Sequence, residues 1–381
     1  MGHVPRGGIP TALALCVLFV AGCGESGRES NSTAPVRHPD KRFIRDASVT
    51  DPAIDLASRA RPEPQLSSGP VERRLGVAEQ PADQVFGGIT AVAEDGAHRI
   101  YVLDSRAGQV SVYDTLDRRV DVIGRRGEGP GEFLRALSMA LRDDSTLYVG
   151  DVSERVHIFR RPGLGRFVYD TSFTAGVSVD AMCFLGPDLI VQGVNPTDSL
   201  LLRRFDPHGR QVAAFGVVYR SPQPRANMEA ARGRIACNND LRLVAYAPQA
   251  LLGEVRAFSA AGTQVWRLVL QGFQPISVLA TATSFSAETP KSGFDRVDGL
   301  AWLPDSSLLV QVAHVTADRA TSRPTLATTR LTSIRASWRD GRAAIASTDL
   351  DRVALVSAGS MISTRDDPVP AVIVRRLIGH R

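Results

Sequence analysis

The chain has 381 residues, 43% of them hydrophobic, and a formal net charge of +5. All but two of its 45 basic residues are arginine, and they are dispersed among 40 acidic residues. Because no basic run of the kind that follows a nucleic-acid backbone is present, no nucleic-acid partner is expected. We attribute the arginine bias to the base composition of the genome rather than to function.

The N-terminus predicts export. Arg6 precedes an apolar run from Ile9 to Val20, which has the length of the hydrophobic part of a signal peptide and is too short to span a bilayer. The run ends in Val20-Ala21-Gly22-Cys23, where small residues precede a cysteine. Residues 1–22 are therefore predicted to be a signal peptide that is removed on export.

The residues around Cys23 resemble the lipobox of bacterial lipoproteins. This resemblance implies that Cys23 is diacylated and becomes the new N-terminus, with an ordinary secretory signal as the alternative. In that family an Asp after the cysteine tends to retain a protein at the inner membrane, and here Gly24 follows. We therefore expect a protein of the Gram-negative cell envelope, held at the outer membrane by lipid alone.

A polar segment follows the cysteine. Residues 23–69 contain the stretch RESNSTAPVRHPDKR and show no apolar periodicity. Such a segment cannot bury enough apolar surface to become ordered, so it is predicted to be a disordered tether. The folded domain is predicted to occupy residues 70–381, and a monomer is expected.

The folded domain consists of repeats. Each repeat has an apolar alternating strand, a polar turn and a β-rich strand, as in residues 88–102, 136–149, 179–191 and 297–310. Two further strands follow in each unit, as in QVSVYDTLDRRVDVIG. Four strands per unit at intervals of ~40–60 residues are typical of propeller blades. The fold class predicted is therefore all-β, a β-propeller with four-stranded antiparallel blades.

A glycine-rich loop between the first two repeats carries a family resemblance. The segment from Gly127 to Phe133, GEGPGEF, resembles the loop of NHL-repeat propellers and of related bacterial six-bladed propellers. Its glycines permit positive φ, and Phe133 is expected to wedge between blades. The resemblance implies six blades and fades in later repeats, where residues 220–232 and 315–329 are insertions. Because the loop precedes a strand, no helix N-terminus is expected to hold a phosphate.

The two ends of the domain are expected to share a blade. The last repeat supplies three strands, and residues 70–77 form a lone strand ahead of the first repeat. Joining them would close the ring and remove open sheet edges.

One face of the disk is expected to carry the binding surface, because loops there need not pack. Superposed repeats place Asp180 and Asp298 at the starts of inner strands. The same superposition places polar residues near the ends of second strands, namely Arg106, Ser153, Asn195, Gln249 and His314. Asp180 and Asp298 are candidate Ca²⁺ ligands, whereas the competing interpretation is ordinary polar loop ends; no other cofactor is expected.

Other polar residues are given structural roles. Asp104 and Asp151 are predicted to accept hydrogen bonds in equivalent turns, and His157 lies inside an alternating strand. Cys183 and Cys237 lie on inner strands of adjacent blades, offset by one residue in the repeat. That offset predicts opposite faces, so two buried thiols are favoured over a disulfide.

No nucleophile elbow, zinc-binding HExxH or CxxC motif is present. The leading hypothesis is a non-catalytic binding or scaffold module for an envelope protein, a peptide or a glycan. The alternative is a propeller enzyme similar to metal-dependent lactonases, hydrolases or lyases, with Asp180, Asp298 and Asn195 as ligands and His314 as acid or base. A structural subunit of an envelope assembly is a third hypothesis.

Overall fold

The computed structural model describes most of the predicted domain, together with a short stretch before it. The described residues are 51–57, 66–76, 85–163, 165–195, 199–217, 223–281, 283–318, 325–347, 349–357, 360–366 and 369–379. The predicted signal peptide and Cys23 lie outside them. The described residues contain no helix that is long and apolar enough to cross a membrane.

Six sheets, each with four antiparallel strands, form the blades, as the repeats predict. Two strands precede the first sheet, β1 (Ala53–Asp55) and β2 (Leu66–Leu75). Blade one contains β3 (Ile89–Glu94), β4 (Ile100–Asp104), β5 (Gln109–Tyr113) and β6 (Arg119–Ile123). The glycine loop forms a short parallel pair, β7 (Arg125–Arg126) and β8 (Glu132–Phe133). Blade two contains β9 (Ala136–Asp143), β10 (Thr146–Asp151), β11 (Arg155–Arg160) and β12 (Val168–Thr174).

The next two blades flank the only helix of the described residues. Blade three contains β13 (Ala181–Leu185), β14 (Asp188–Gln192), β15 (Leu200–Phe205) and β16 (Gln211–Val217). The helix is α1 (Pro224–Ala231), within the predicted insertion. Blade four contains β17 (Gly233–Asn238), β18 (Leu243–Pro248), β19 (Glu254–Ser259) and β20 (Gln264–Gln271).

A hairpin separates blades four and five, and the last blade uses both ends of the domain. The hairpin consists of β21 (Ser277–Ala280) and β22 (Phe285–Glu288). Blade five contains β23 (Phe294–Trp302), β24 (Leu308–Asp318), β25 (Thr325–Ser337) and β26 (Arg342–Ser347). Blade six contains β27 (Val353–Ser357), β28 (Ser360–Arg365), β29 (Ala371–Gly379) and β2.

The ring closes as predicted. Strand β2 pairs antiparallel with β29, with Leu75 opposite Val372 and Leu66 opposite Gly379. The N-terminal strand is thus the outermost strand of blade six, and the pairing joins the beginning of the domain to its end. Closure of this kind belongs to a ring architecture that leaves only short, protected sheet edges.

The predicted tether differs from the structure near its C-terminal end. Strand β1 pairs in parallel with the outer strand β20, with Ile54 opposite Leu270, and gives blade four a fifth strand. Leu56 is buried in the same core as Trp266. The segment orders because its few apolar residues find a sheet edge and a core that the local composition does not reveal.

The core lies between successive blades. Every residue of β10 and β18 is buried, because these second strands are covered on both faces by neighbouring sheets. Between blades one and two, the ring of Phe133 is fully buried and meets Phe159 edge to face at 5.8 Å. A Cβ at Gly124, whose φ is +75°, would lie 2.3 Å from that ring. The predicted wedge is confirmed, and Gly124 permits it.

The two cysteines form a disulfide, so the expectation of two thiols is wrong. Cys183 and Cys237 are bonded with their Cα atoms 5.8 Å apart. Cys183 lies opposite Ile190 and Cys237 opposite Val244 in their sheets, and all four residues belong to the core between blades three and four. However, one face of blade three and the opposite face of blade four both border the interface between these two blades. The offset therefore brings the sulfur atoms together between blades three and four.

Candidate functional site

A central cavity of about 1390 Å³ runs between the inner strands β3, β9, β13, β17, β23 and β27. We call the end at which these strands begin the mouth. Its lining includes Arg135, Asp180, Arg232 and Gln249, whereas Arg142 and Asp240 line the other end. The mouth is polar because the strands begin there at loops, while the middle of the channel is lined by side chains such as Met139 and Leu300.

The structure brings together three of the seven predicted face residues. Asp180, Asp298 and Gln249 line the cavity. Arg106, Ser153, Asn195 and His314 do not belong to its lining. The side chain of Arg106 covers Gly87 and Gly88, and the amide of Asn195 donates to the Gly176 carbonyl oxygen at 3.4 Å.

His314 is fixed on both sides of its ring. Its Nδ1 lies 2.8 Å from Asp295 Oδ1, and its Nε2 lies 3.0 Å from the Ser292 carbonyl oxygen. The other oxygen of Asp295 accepts the Gln274 backbone N–H at 2.8 Å. His314 lies within β24, which continues to Asp318, so it was wrongly placed at a strand end. Both ring nitrogens are thus engaged, one by Asp295 in β23 and the other by the turn that precedes this strand.

Asp104 and Asp151 hold turns, as predicted. The carboxylate of Asp104 accepts the backbone N–H groups of Gly87 and Gly88, at 2.6 and 3.1 Å. Asp151 accepts those of Arg135 and Ser153, at 2.9 and 2.8 Å. Both side chains are buried. Each aspartate ends a second strand and thereby holds the chain just before an inner strand begins at the mouth.

Asp180 is a partly buried acid beside two arginines. Burial raises its pKa, while the charges of Arg232 and Arg135 and a hydrogen bond from Ser178 lower it, and burial prevails. The Ser178 hydroxyl donates to Asp180 Oδ1 at 3.1 Å. A carboxylate that is held against its preference for water is a feature of many binding sites.

Asp298 has a partner that the sequence analysis missed. Arg296 donates to both of its oxygens, from Nε at 2.5 Å and from Nη2 at 2.8 Å. Burial lowers the pKa of Arg296, but the hydrogen bond and charge of Asp298 outweigh that and raise it. Asp298 lies in the middle of β23 rather than at its start, because the inner strand of blade five begins at Phe294.

The surroundings of Asp180 and Asp298 are rich in arginine and do not favour a Ca²⁺ ion. Both oxygens of Asp298 face a guanidinium, and the charged groups nearest Asp180 include two more. Within the described part of the chain, no group of three or more His, Cys, Asp and Glu side chains could hold a metal ion. A Ca²⁺ site needs six to eight oxygen ligands.

Two further arginines face the cavity near Asp298. Arg352 binds Asp366 from Nη1 at 3.0 Å and from Nη2 at 3.2 Å, and both Nε and Nη2 donate to the Thr364 hydroxyl. Arg234 is the second residue of β17, and its Nε is buried without a hydrogen-bond partner among the described residues. Its charged neighbours are Arg296, Arg352, Asp298 and Asp366. We call these five residues the arginine cluster.

The signal for this cluster is visible in the sequence. The inner strands of blades four and five begin GRIACN and FDRVDG, whereas β3, β9 and β13 begin with alanine or isoleucine and few charges. The overall excess of arginine concealed these positions. Arginine at the start of an inner strand, rather than the number of arginines, is the informative feature.

A family model and one solved structure support the fold. A family model described as "6-bladed beta-propeller" matches residues 81–159. No curated protein sequence matches the chain. The structure is similar to that of an exported protein of Bacteroides fragilis NCTC 9343, with 10% identity, a TM-score of 0.51, and coverage of 87% of this chain and 100% of that one. BamB from Moraxella catarrhalis gives a TM-score of 0.41 at 14% identity, covering 81% and 99%. The chain is thus a six-bladed β-propeller.

Proposed function

We propose that this chain is a non-catalytic binding module of the bacterial cell envelope. Its ligand, a protein, a peptide or a glycan, contacts the mouth of the channel. The observation that carries the proposal is the mouth itself, where a cavity of about 1390 Å³ opens between Asp180, Arg232, Arg234 and Gln249. Concave sites with a few convergent polar groups are the usual places of ligand binding.

The hairpin and the helix that lie outside the blades also favour ligand binding at the mouth. The hairpin β21–β22 joins the mouth loops through the Ile276 N–H, which donates to the Ala250 carbonyl oxygen at 3.0 Å. Helix α1 lies against that hairpin, with the guanidinium of Arg225 5.6 Å from the centre of the Phe285 ring. Leu279 on the hairpin is 67% exposed. Together these segments form a wall on one side of the mouth, which a larger ligand could contact.

The N-terminus and one structural relative support the proposed location. The relative from Bacteroides fragilis is described as exported, and the sequence around Cys23 has the features of a lipid attachment site. We infer that lipid on Cys23 holds the propeller at the envelope. Replacing Cys23 with Ala should move the protein from the membrane fraction to the soluble fraction, and retention in the membrane would contradict the anchor.

We propose no catalytic step at this site. The acid or base candidate His314 has both ring nitrogens engaged, and Asp298 is held by Arg296. A reaction would need a group that is poised to exchange a proton or attack a substrate.

Site-specific crosslinking in cells tests the binding role. A photoreactive amino acid replaces Gln249 at the mouth, and the matched control carries it at His208, an exposed turn residue between β15 and β16 at the opposite end of the disk. The proposal predicts a discrete adduct from position 249 and none from position 208. No adduct from position 249, or equal adducts from both, would contradict it.

A further inference from the structure

We propose that the arginine cluster is a receptor for one carboxylate group of the ligand, and that Arg234 is the residue that binds it. This inference rests on the proposed binding function and names the chemistry of its ligand. The cluster contains three guanidinium groups, those of Arg234, Arg296 and Arg352, and two carboxylates, those of Asp298 and Asp366. It therefore carries one positive charge in excess.

The hydrogen bonds locate the excess charge on Arg234. Arg296 and Asp298 form a two-point pair, and Arg352 forms two hydrogen bonds to Asp366. In each pair, the positive charge of the arginine balances the negative charge of the aspartate. Arg234 forms no ion pair of this kind with a described residue, and its buried Nε is unpartnered. A guanidinium is planar and offers parallel N–H groups that match a carboxylate.

The surroundings make an unpaired charge costly at this position. Burial lowers the pKa of Arg234, and the charges of Arg352 and Arg296 act in the same direction, against the carboxylates of Asp298 and Asp366. An arginine keeps its charge near neutral pH even so. A ligand that brings a negative charge beside Arg234 would compensate electrostatically for the hydration that burial removes from its Nε.

The charge balance favours a carboxylate over a phosphate. One carboxylate would neutralise the cluster, whereas a phosphate with two negative charges would leave an excess of negative charge close to Asp298 and Asp366. Gln249, which lines the mouth, offers an amide that could donate to the ligand beyond its charged group.

A carboxylate at this position could belong to a small organic acid or to the C-terminus of a polypeptide. The test uses the full mature chain, purified with its lipid in detergent, and measures thermal stability at constant ionic strength. The probes are acetate, N-acetyl-dialanine with a free C-terminal carboxylate, its C-terminal amide, and inorganic phosphate. Binding to the folded state raises the melting temperature, and the stabilisation grows with the logarithm of one plus the ratio of ligand concentration to Kd.

We expect at least one of the two carboxylate probes to bind, and the amide to bind at least tenfold more weakly than the acid. Binding of acetate as strong as that of the peptide indicates a small acid, whereas binding of the peptide acid alone indicates a polypeptide C-terminus. Arg234→Gln should weaken the binding at least tenfold, and Arg234→Lys, which keeps the charge but loses the two-point geometry, should weaken it less. Arg142→Gln, at the other end of the channel, should change it less than twofold.

Several results would overturn the assignment. These are equal binding of acid and amide, tighter binding of phosphate than of either carboxylate, or equal losses in the Arg234 and Arg142 variants. An Arg234→Gln protein that does not fold is recognised by its melting curve, and Arg234→Lys then decides. If the adduct at position 249 forms in cells while no carboxylate binds, the binding function stands and this inference fails.

Discussion

Removal of the disulfide between Cys183 and Cys237 should lower the stability of the propeller substantially. The bond links the inner strands of blades three and four, beside the hydrogen bond from the Gly186 N–H to the Asn239 side chain at 2.7 Å. Both cysteines are partly buried against the core between these blades. The perturbation is the double substitution of both cysteines with Ala, which removes the bond without adding a polar group.

The magnitude follows from the length of chain that the bond closes. The cysteines are 54 residues apart in sequence. In the chain-entropy model, a bond that closes a loop of this length restricts the unfolded chain by about 4 kcal/mol at 25 °C. Because native contacts around two small side chains change little, we expect the free energy of unfolding to fall by about that amount.

Urea unfolding of the wild-type protein and the double variant measures this difference, with and without a reducing agent. The wild-type protein should lose about 4 kcal/mol on reduction, and the double variant should be insensitive to the reductant. A difference below about 1 kcal/mol would refute the reasoning. So would two reactive thiols in the unfolded, unreduced wild-type protein, since these would mean that the bond does not form.

Three further predictions concern single side chains. Phe133→Ala should cost about 3–5 kcal/mol of unfolding free energy, because it empties the space between blades one and two. Burial lowers the pKa of His157, so the unfolded state takes up its proton first and stability falls as the pH drops below about 6.5. His157→Gln should reduce the stability lost between pH 7.5 and 5.5 by up to about 1.4 kcal/mol. Burial raises the pKa of Asp180, so the protein loses folding stability as the pH rises through the folded pKa of this group. Asp180→Asn should therefore stabilise the protein at pH 7 but not at pH 3.

Each of these is checked by chemical unfolding at the stated pH. For Phe133, the conservative Phe133→Leu is the control and should cost less than Phe133→Ala. For His157, an unchanged pH dependence in the variant would contradict the prediction. For Asp180, a variant that is less stable than wild type at pH 7 would show that the nearby arginines, rather than burial, dominate its energetics.

The sequence predicted those parts of the fold that repeat. Alternating strands and polar turns identified the blades, and the lone strand before blade one identified the closure with β29, because both depend on local patterns. Strand β1 could not be predicted in this way. Its three residues are ordered by the edge of β20, which is more than 200 residues away in the sequence.

The candidate site was only partly predictable for related reasons. Superposing the repeats placed Asp180 and Gln249 at the mouth, because these positions are fixed by the frame of each blade. His314 was misplaced because the hairpin of β24 and β25 in blade five is longer than its counterparts, so an equivalent position is no longer a strand end. Arg234 and its partners depend on contacts between three blades, which no repeat alignment contains.

The most direct test of the account is the crosslinking yield at position 249 in cells, compared between the wild-type background and Arg234→Gln. We expect a discrete adduct whose yield is at least tenfold lower in the variant, while the amount of folded protein stays the same. An adduct of equal yield in both backgrounds would contradict the role of Arg234, and the absence of any adduct in the wild-type background would contradict binding at the mouth.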